Sequence, residues 1–385
     1  MFDWRSRWMD EELVLFDETV RRVLSDCAPP ERLARWRQEG MVERAAWREV
    51  AQAGLLGLSI APGYGGAGGD FRHEAVLIRR LGLAGAEGWG LPLHNSIVAP
   101  YVATHGTPEQ RRRWLPRMVS GELIGAIAMT EPGAGSDLRG IRTTARRDGE
   151  LYRVTGQKTF ISNGQIADFI IVAARTDPAE GSRGLSLIGI EAADAPGFTR
   201  GRNLDKVGLE MGDTSELFFD DVPVPVANLI GGVEGRGLHQ LMRELPRERL
   251  MIAIESLAIM EAAIEQALDY VHQRTAFGKR LIDMQNTQFR LAECRTEAMV
   301  ARSFIDDCIE RFQEGKLDAT AASMAKLWAS ERAQRVVDVC QQLFGGYGYM
   351  TEYPVAQMYK DVRVKRIYGG TSEIMKLLIA RSLSQ

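Results

Sequence analysis

Apolar positions along the chain fall into three regimes. From residue 1 to about 120 they recur near the helical period: Val14, Phe16, Val20, Val23 and Leu24 form one stripe, and Leu81, Leu83 and the run 96–104 continue in short apolar blocks. Asp10 ahead of Glu11 and Glu12 predicts an N-cap followed by an acidic first turn. Thr107-Pro108-Glu109-Gln110 predicts a cap, an N1 proline and the start of a further helix. The glycine-rich segment 61–69 must be a loop. From about 121 to 232 the period shortens. YRVTGQKTFISN (152–163), FIIVAART (169–176), GLSLIGIE (184–191) and ELFFDDVPVP (216–225) are β-branched and aromatic runs divided by Gly, Pro, Asp and Asn. Strands with no helices between them predict a compact antiparallel β domain, and no GxGxxG follows a strand, which weighs against a dinucleotide-binding βαβ unit. From about 235 the helical period returns over 250–273, 285–313 and 317–344, with a last helix from Thr371-Ser372-Glu373 to near Ser382. Four helices with short connections make a bundle. The expected fold is α+β and multi-domain: an N-terminal α-helical domain (1–122), a middle antiparallel β-barrel or sandwich (123–233) and a C-terminal four-helix bundle (234–385).

Composition narrows the classes. A net charge of −3 without long runs of one sign gives no reason to expect nucleic acid or an anionic membrane as partner. Cys27, Cys294, Cys308 and Cys340 are scattered without CxxC spacing, and the five histidines are dispersed, so a reduced compartment and no metal are expected. The first ten residues hold Asp3, Trp4, Arg5, Arg7 and Trp8, unlike a signal peptide, and no stretch is apolar enough to span a bilayer. A bacterial cytoplasmic protein is the expectation.

The richest segment is AMTEPGAGSD (128–137). Its glycines leave backbone N–H groups bare for a large ligand, and Thr130 and Ser136 add hydroxyls. A second set of glycines, FGGYGYMTEYP (344–354) and IYGGTSEI (367–374), lies more than 200 residues on. Loops so far apart form one site only when the fold closes around something large.

Helical domain, β domain and bundle, together with AMTEPGAGSD, KTFISNG (158–164), RTAFGKRL (274–281), QLFGGYGYMTEYP (342–354) and IYGGTSEI, resemble the acyl-CoA dehydrogenase family, in particular its long-chain and isovaleryl-type branches. The resemblance spans roughly residues 10–385. It implies FAD held between the β domain and the bundle of a homo-oligomer, a dimer of dimers, with an electron-transferring flavoprotein as acceptor and fatty-acid oxidation as the setting. By that resemblance Met129 and Thr130 lie against the flavin, Ser136 bridges cofactor and thioester, and Phe160 and Ser162 touch the ring from the β domain. Phe160 stands where many relatives carry tryptophan; without the resemblance it reads equally as strand core. Arg274 would neutralise the pyrophosphate in a neighbouring subunit's site and Phe277 would pack on the adenosine half, with Gln285, Gln342, Gly345 and Gly346 completing that wall. Arginine suits the task through its planar fork, although pattern alone makes Arg274 a solvated helix end. Thr371 and Glu373 would meet the ribityl or adenosine side.

The base departs from the commonest family pattern: Gly369 occupies the place of the usual glutamate, and glycine cannot take a proton. In RELPRERL (243–250) the resemblance assigns the base to Glu248, with Glu244 four residues earlier as the competitor and Arg249 orienting the carboxylate. Pro246 is expected to bend or restart the helix. Without the resemblance the segment is a surface helix of alternating charge. The implied chemistry is loss of the α-proton to Glu248 and of the β-hydride to the flavin, giving a trans-2-enoyl thioester, with the Gly369 N–H and a cofactor hydroxyl holding the developing enolate. Gly369 and Gly370 are expected to leave volume for a long or branched acyl chain, and His239 either lines the pocket or caps a helix. Two other readings stay open: an oxidase using oxygen as acceptor, and a non-catalytic flavin-binding scaffold.

Overall fold

The computed structural model describes residues 5–383; residues 1–4 and 384–385, at the outer ends of the first and last expected domains, lie outside the described residues. The first part is helical: α1 (Glu11–Cys27), α2 (Pro30–Glu39), α3 (Arg44–Gln52), α4 (Phe71–Leu83), α5 (Leu91–Leu93), which continues through a π turn (His94–Val98) into α6 (Ala99–His105), and α7 (Pro108–Val119). The Asp10 carboxylate accepts from the Leu13 N–H and caps α1, and Thr107 and Gln110 form a capping box on α7. The inward stripe of α1 is Leu13, Val20, Leu24 and Cys27; Val14, Phe16 and Val23 flank it, half-buried.

The middle region holds β1 (Gly125–Ala128), β2 (Thr144–Asp148), β3 (Leu151–Ser162), β4 (Phe169–Arg175), β5 (Leu185–Glu191), β6 (Phe198–Asn203) and β7 (Thr214–Pro225) in one sheet. Most pairs are antiparallel, but the sheet is mixed: β1 runs parallel to β4, and β2 meets the end of β4 in parallel at Thr144 and Arg175. The long excursion through residues 129–168 supplies the crossover that parallel pairing needs, a connection that local periodicity does not display.

The C-terminal region comprises α8 (Gly237–Gln273), a two-stranded hairpin β8 (Thr275–Ala276) and β9 (Lys279–Arg280), α9 (Gln285–Gln313), α10 (Ala319–Leu343), α11 (Pro354–Asp361) and α12 (Ser372–Ser382). The helical run expected from about 235 is one helix from Gly237, and it continues through Pro246 without a restart. The proline removes a bond to the Met242 carbonyl, and Met242 lies on the exposed side. α8, α9 and α10 pack mutually, α12 lies on α10, and α4 from the N-terminal region is laid against α8 and α9.

Buried charges join these regions. Arg247 of α8 pairs with Glu74 of α4, and Glu261 of α8 pairs with Arg79 of α4, at 3.0 Å, and with Arg302 of α9. Lys365 lies 3.4 Å from Glu87 and 3.2 Å from Glu255, and the Tyr368 hydroxyl donates to Glu255 at 2.8 Å. Among the described residues no helix is long and apolar enough to cross a membrane, and no acidic, histidine or cysteine cluster is arranged to hold a metal.

Candidate functional site

Glu248 lies on the buried side of α8, 5% exposed, and its carboxylate accepts a hydrogen bond from the Tyr101 hydroxyl of α6 at 2.9 Å. Burial pushes its carboxyl up to about 7; the Tyr101 hydrogen bond and Arg249 pull against that rise, and Glu244 adds to it. Burial and the two carboxylates hold the Tyr101 phenol well above its ordinary range, so it remains a donor. Glu244 is also buried but bonded to His105 Nε2 at 2.9 Å, one turn along α6 from Tyr101. The two carboxylates thus have separate partners. Arg249 is buried, donates to Ser323 Oγ at 3.2 Å, and keeps its Nε without a partner among the described residues. His239 is exposed. At about 100° per residue, the nine residues to Glu248 put it on the opposite side of α8, so it does not join the carboxylate's surroundings.

Gly369 faces the turn of α8 that follows Glu248: a Cβ built on it would overlap Ile252 Cδ1, one turn beyond the glutamate. A Cβ on Gly370 would meet Met375 Cε. The space freed by the two glycines is therefore taken by the ends of Ile252 and Met375 rather than left open, which corrects the expectation of vacant volume there. Both glycines have positive φ, +61° and +94°, and neither N–H finds an acceptor among the described residues. Thr371 caps α12, accepting from the Ile374 N–H, and Glu373 is exposed in its first turn.

The β-domain motifs are clamped together. Lys158, fully buried, donates to Glu131 Oε1 at 2.8 Å and to the Met129 carbonyl at 3.1 Å, while the Thr159 N–H donates to the Thr130 carbonyl at 2.9 Å. Glu131 also accepts from the Arg142 and Thr143 N–H groups. Burial pushes Glu131 up, but Lys158 and those donors outweigh it and hold it low; burial pushes Lys158 down to about 8 against the pull of Glu131. The next residue, Phe160, sits at an irregularity between the paired stretches of β3 and β7, with φ +60°. The bulge throws the ring outward, 66% exposed, so it is not strand core. Ser162 and Ser136 are exposed, and Met129 and Thr130 half-buried. The N–H groups of Gly133, Gly135 and Ser136 have no acceptor among the described residues, and a Cβ on either glycine would meet nothing within 4 Å.

The remaining expected cofactor residues lie at the other end of α8. The hairpin after it turns on Phe277 and Gly278, at φ 52° and 78°, the positive pair of a two-residue turn, and Phe277 is 96% exposed at its tip. Arg274 lies 5.8 Å over the Tyr347 ring, beside the Gly345–Tyr349 turn, where a Cβ on Gly345 or Gly346 would meet open space. Gln285 and Gln342 are exposed at the ends of α9 and α10. Arg274 is 26 residues beyond Glu248 on one helix, about 39 Å at 1.5 Å per residue. Arg274 and the residues around the hairpin therefore lie far along α8 from Glu248 of the same chain.

Several residues around the site escaped the sequence reading: Tyr101, the Lys158–Glu131 pair, His94 and Lys326. The buried His94 imidazole accepts from the Gly125 N–H through Nδ1 at 3.0 Å and donates from Nε2 to the Met118 carbonyl at 3.1 Å, tying the π turn to the start of β1. Burial pushes it down to about 4, so it stays neutral. Two of these had a signal. Lys158 shares strand parity with the inward Tyr152 and Val154, and Lys326 falls on the small-residue stripe Ala322, Ala329 and Ala333 of α10.

Known proteins bear the same architecture. Family models described as the acyl-CoA dehydrogenase N-terminal, middle and C-terminal domains match residues 10–122, 126–222 and 235–384. The chain is 45% identical over 379 residues to the mitochondrial long-chain specific acyl-CoA dehydrogenase of Sus scrofa, covering 98% of this chain and 87% of that protein. It is 34% identical over 344 residues to the mitochondrial isovaleryl-CoA dehydrogenase of Pongo abelii, covering 89% and 81%. The crystal structure of an acyl-CoA dehydrogenase from Geobacillus kaustophilus matches with a TM-score of 0.96 and 47% identity, covering 99% of this chain and all of that one. Three domain models in order and close relatives along nearly the full length agree: the chain belongs to the acyl-CoA dehydrogenase family.

Proposed function

We propose that the protein dehydrogenates a long or branched acyl-CoA to the trans-2-enoyl-CoA, with Glu248 as the base. The observation that carries this reading is the pairing of a buried carboxylate, poised at about 7, with the unoccupied Gly369 N–H on the loop packed against the next turn of α8. Glu248 takes the α-proton, and Tyr101 holds the carboxylate in one orientation. The Gly369 N–H donates to the thioester oxygen as charge develops there, and the apolar ends of Ile252 and Met375 keep water from the reacting carbons. Arg249 stabilises the ionised state of Glu248, and Glu244 stays engaged with His105. A long acyl chain is in keeping with the long-chain specific relative.

The residues present fit FAD: bare N–H groups at 133, 135 and 136, an outward aromatic at Phe160, open glycine surfaces, and Arg274 and Phe277 both exposed. When bound it supplies the two-electron acceptor for the β-hydride. Met129, Thr130, Ser136, Phe160 and Ser162 would hold its flavin half, and Thr371 and Glu373 its ribityl or adenosine side. Arg274, Phe277, Gln285, Gln342, Gly345 and Gly346 would hold the pyrophosphate and adenosine half in a second copy's site, because about 39 Å of helix separates Arg274 from Glu248 of the same chain. The functional unit is then a homo-oligomer, a dimer of dimers, passing electrons to an electron-transferring flavoprotein.

The test is anaerobic bleaching of the flavin with straight and branched acyl-CoAs, in wild type and Glu248→Gln. Bleaching by wild type alone is expected, and equal bleaching by both would move the base elsewhere. Rapid reoxidation by air without an acceptor protein would favour an oxidase, and no bleaching by any thioester a scaffold. Arg274→Ala is expected to release FAD and dissociate subunits; full flavin content in that variant would rule out the shared site.

A further inference from the structure

Lys326 of α10 is a fully buried lysine whose charge nothing in the proposed chemistry uses. Its ammonium donates to the Gly370 carbonyl at 2.7 Å, and no carboxylate among the described residues lies within ion-pair distance. Enclosing an ammonium for the sake of one neutral acceptor is costly, so its place calls for a reason. The loop it holds supplies one. Residues 369 and 370 are consecutive glycines with positive φ, and glycine imposes no backbone preference of its own. Their N–H groups make no protein hydrogen bond among the described residues, so side-chain tethers must set the direction in which these groups point. On one side the Tyr368 hydroxyl is anchored on Glu255 at 2.8 Å; on the other, Lys326 grips the Gly370 carbonyl just before Thr371 caps α12. One turn earlier on α10, Ser323 receives the Arg249 guanidinium at 3.2 Å. One face of α10 thus reaches both the residue beside Glu248 and the loop opposite it.

We infer that Lys326 is a positioning residue, which fixes the Gly369–Gly370 loop so that the Gly369 N–H stays aimed at the thioester oxygen while Glu248 removes the α-proton. The inference rests on the proposed dehydrogenation and deepens it. It predicts that losing the ammonium slows proton abstraction itself, before any electron transfer, and leaves thioester binding nearly intact.

The holoenzyme is tested with a long-chain 3-thia-acyl-CoA, in which sulfur replaces the β-carbon. No hydride can leave, yet the α-protons remain exchangeable, and their replacement in D2O is followed by mass spectrometry. Lys326→Met is expected to lower the exchange rate and kcat by about 10–100-fold, the effect of one lost charge-assisted hydrogen bond, with KM, flavin content and Tm near wild type. Lys326→Gln, a shorter neutral donor, should fall between the two, and it carries the test should the Met variant not fold. Wild-type exchange in either folded variant would overturn the inference, as would losses that merely track flavin content and Tm. Absence of both exchange and bleaching in wild type would instead refute the dehydrogenase reading.

Discussion

Tyr101→Phe removes one oxygen from a buried pair and nothing else. The phenyl ring keeps its place against α8, and Glu248 loses the donor that stands 2.9 Å from its carboxylate. Burial, which raises the Glu248 carboxyl to about 7, is unchanged, as is the push from Glu244; of the opposing influences only Arg249 remains. A hydrogen bond to a charged group contributes about 1.5–3 kcal/mol, which at about 1.4 kcal/mol per unit is a further rise of about 1–2 units. The sign follows from the proposed role: a base works as the carboxylate, so the acidic limb of kcat/KM should move from near 7 to about 8–9. At pH 6 the ionised fraction falls from roughly one tenth to between one hundredth and one thousandth, a loss of about 10–100-fold that disappears above about pH 10. The assay is the initial rate of anaerobic flavin bleaching over pH 5.5–10 at subsaturating acyl-CoA. An acidic limb that stays in place, or a loss equal at every pH, would refute the assignment of Tyr101 to the base.

Glu248→Gln should stabilise the protein in a pH-dependent way. An ordinary carboxyl near 4.5 is raised to about 7 on folding, so the native state carries a penalty that is absent below 4.5 and complete above 7. That penalty is on the order of 3 kcal/mol, and the Tm difference between variant and wild type should grow from pH 4.5 to 7 and then level; a constant difference would refute it. Gly369→Ala forces a left-handed alanine, costing about 1–2 kcal/mol, and overlaps Ile252 Cδ1. Adding Ile252→Val, which deletes that methyl, should recover part of the loss in chemical denaturation, and strict additivity of the two substitutions would refute the contact.

The helical regions and most strands were legible because their signals are local. Asp10 and Thr107 cap the helices they were expected to cap, and the four strand-like runs became β3, β4, β5 and β7. The parallel partners of β4 were not legible, since pairing across residues 129–168 leaves no trace in alternation. The burial of the RELPRERL charges was not legible, because their alternation imitates a surface helix, whereas Glu244, Glu248 and Arg249 are buried against α6 and α10. The motifs pointed to Glu248 and Gly369 but not to what holds them. Tyr101 lies 147 residues from its partner, and no pattern short of the fold links the two. The outward Phe160 depends on a bulge, which no alternation rule places.

The buried charges that bind α4 to α8 have a consequence for how the molecule unfolds. Glu74 and Arg79 belong to the N-terminal stretch, while Arg247 and Glu261 lie beyond the β domain. Lys365 similarly needs Glu87 from the first region as well as Glu255. Separating either stretch would leave ionised groups enclosed without counter-charges, at several kcal/mol each. The divisions visible along the chain are thus not autonomous folding units. A fragment ending near 122, or one starting near 234, should fail to form a stable native state, and the intact chain should melt in a single cooperative transition instead of region by region.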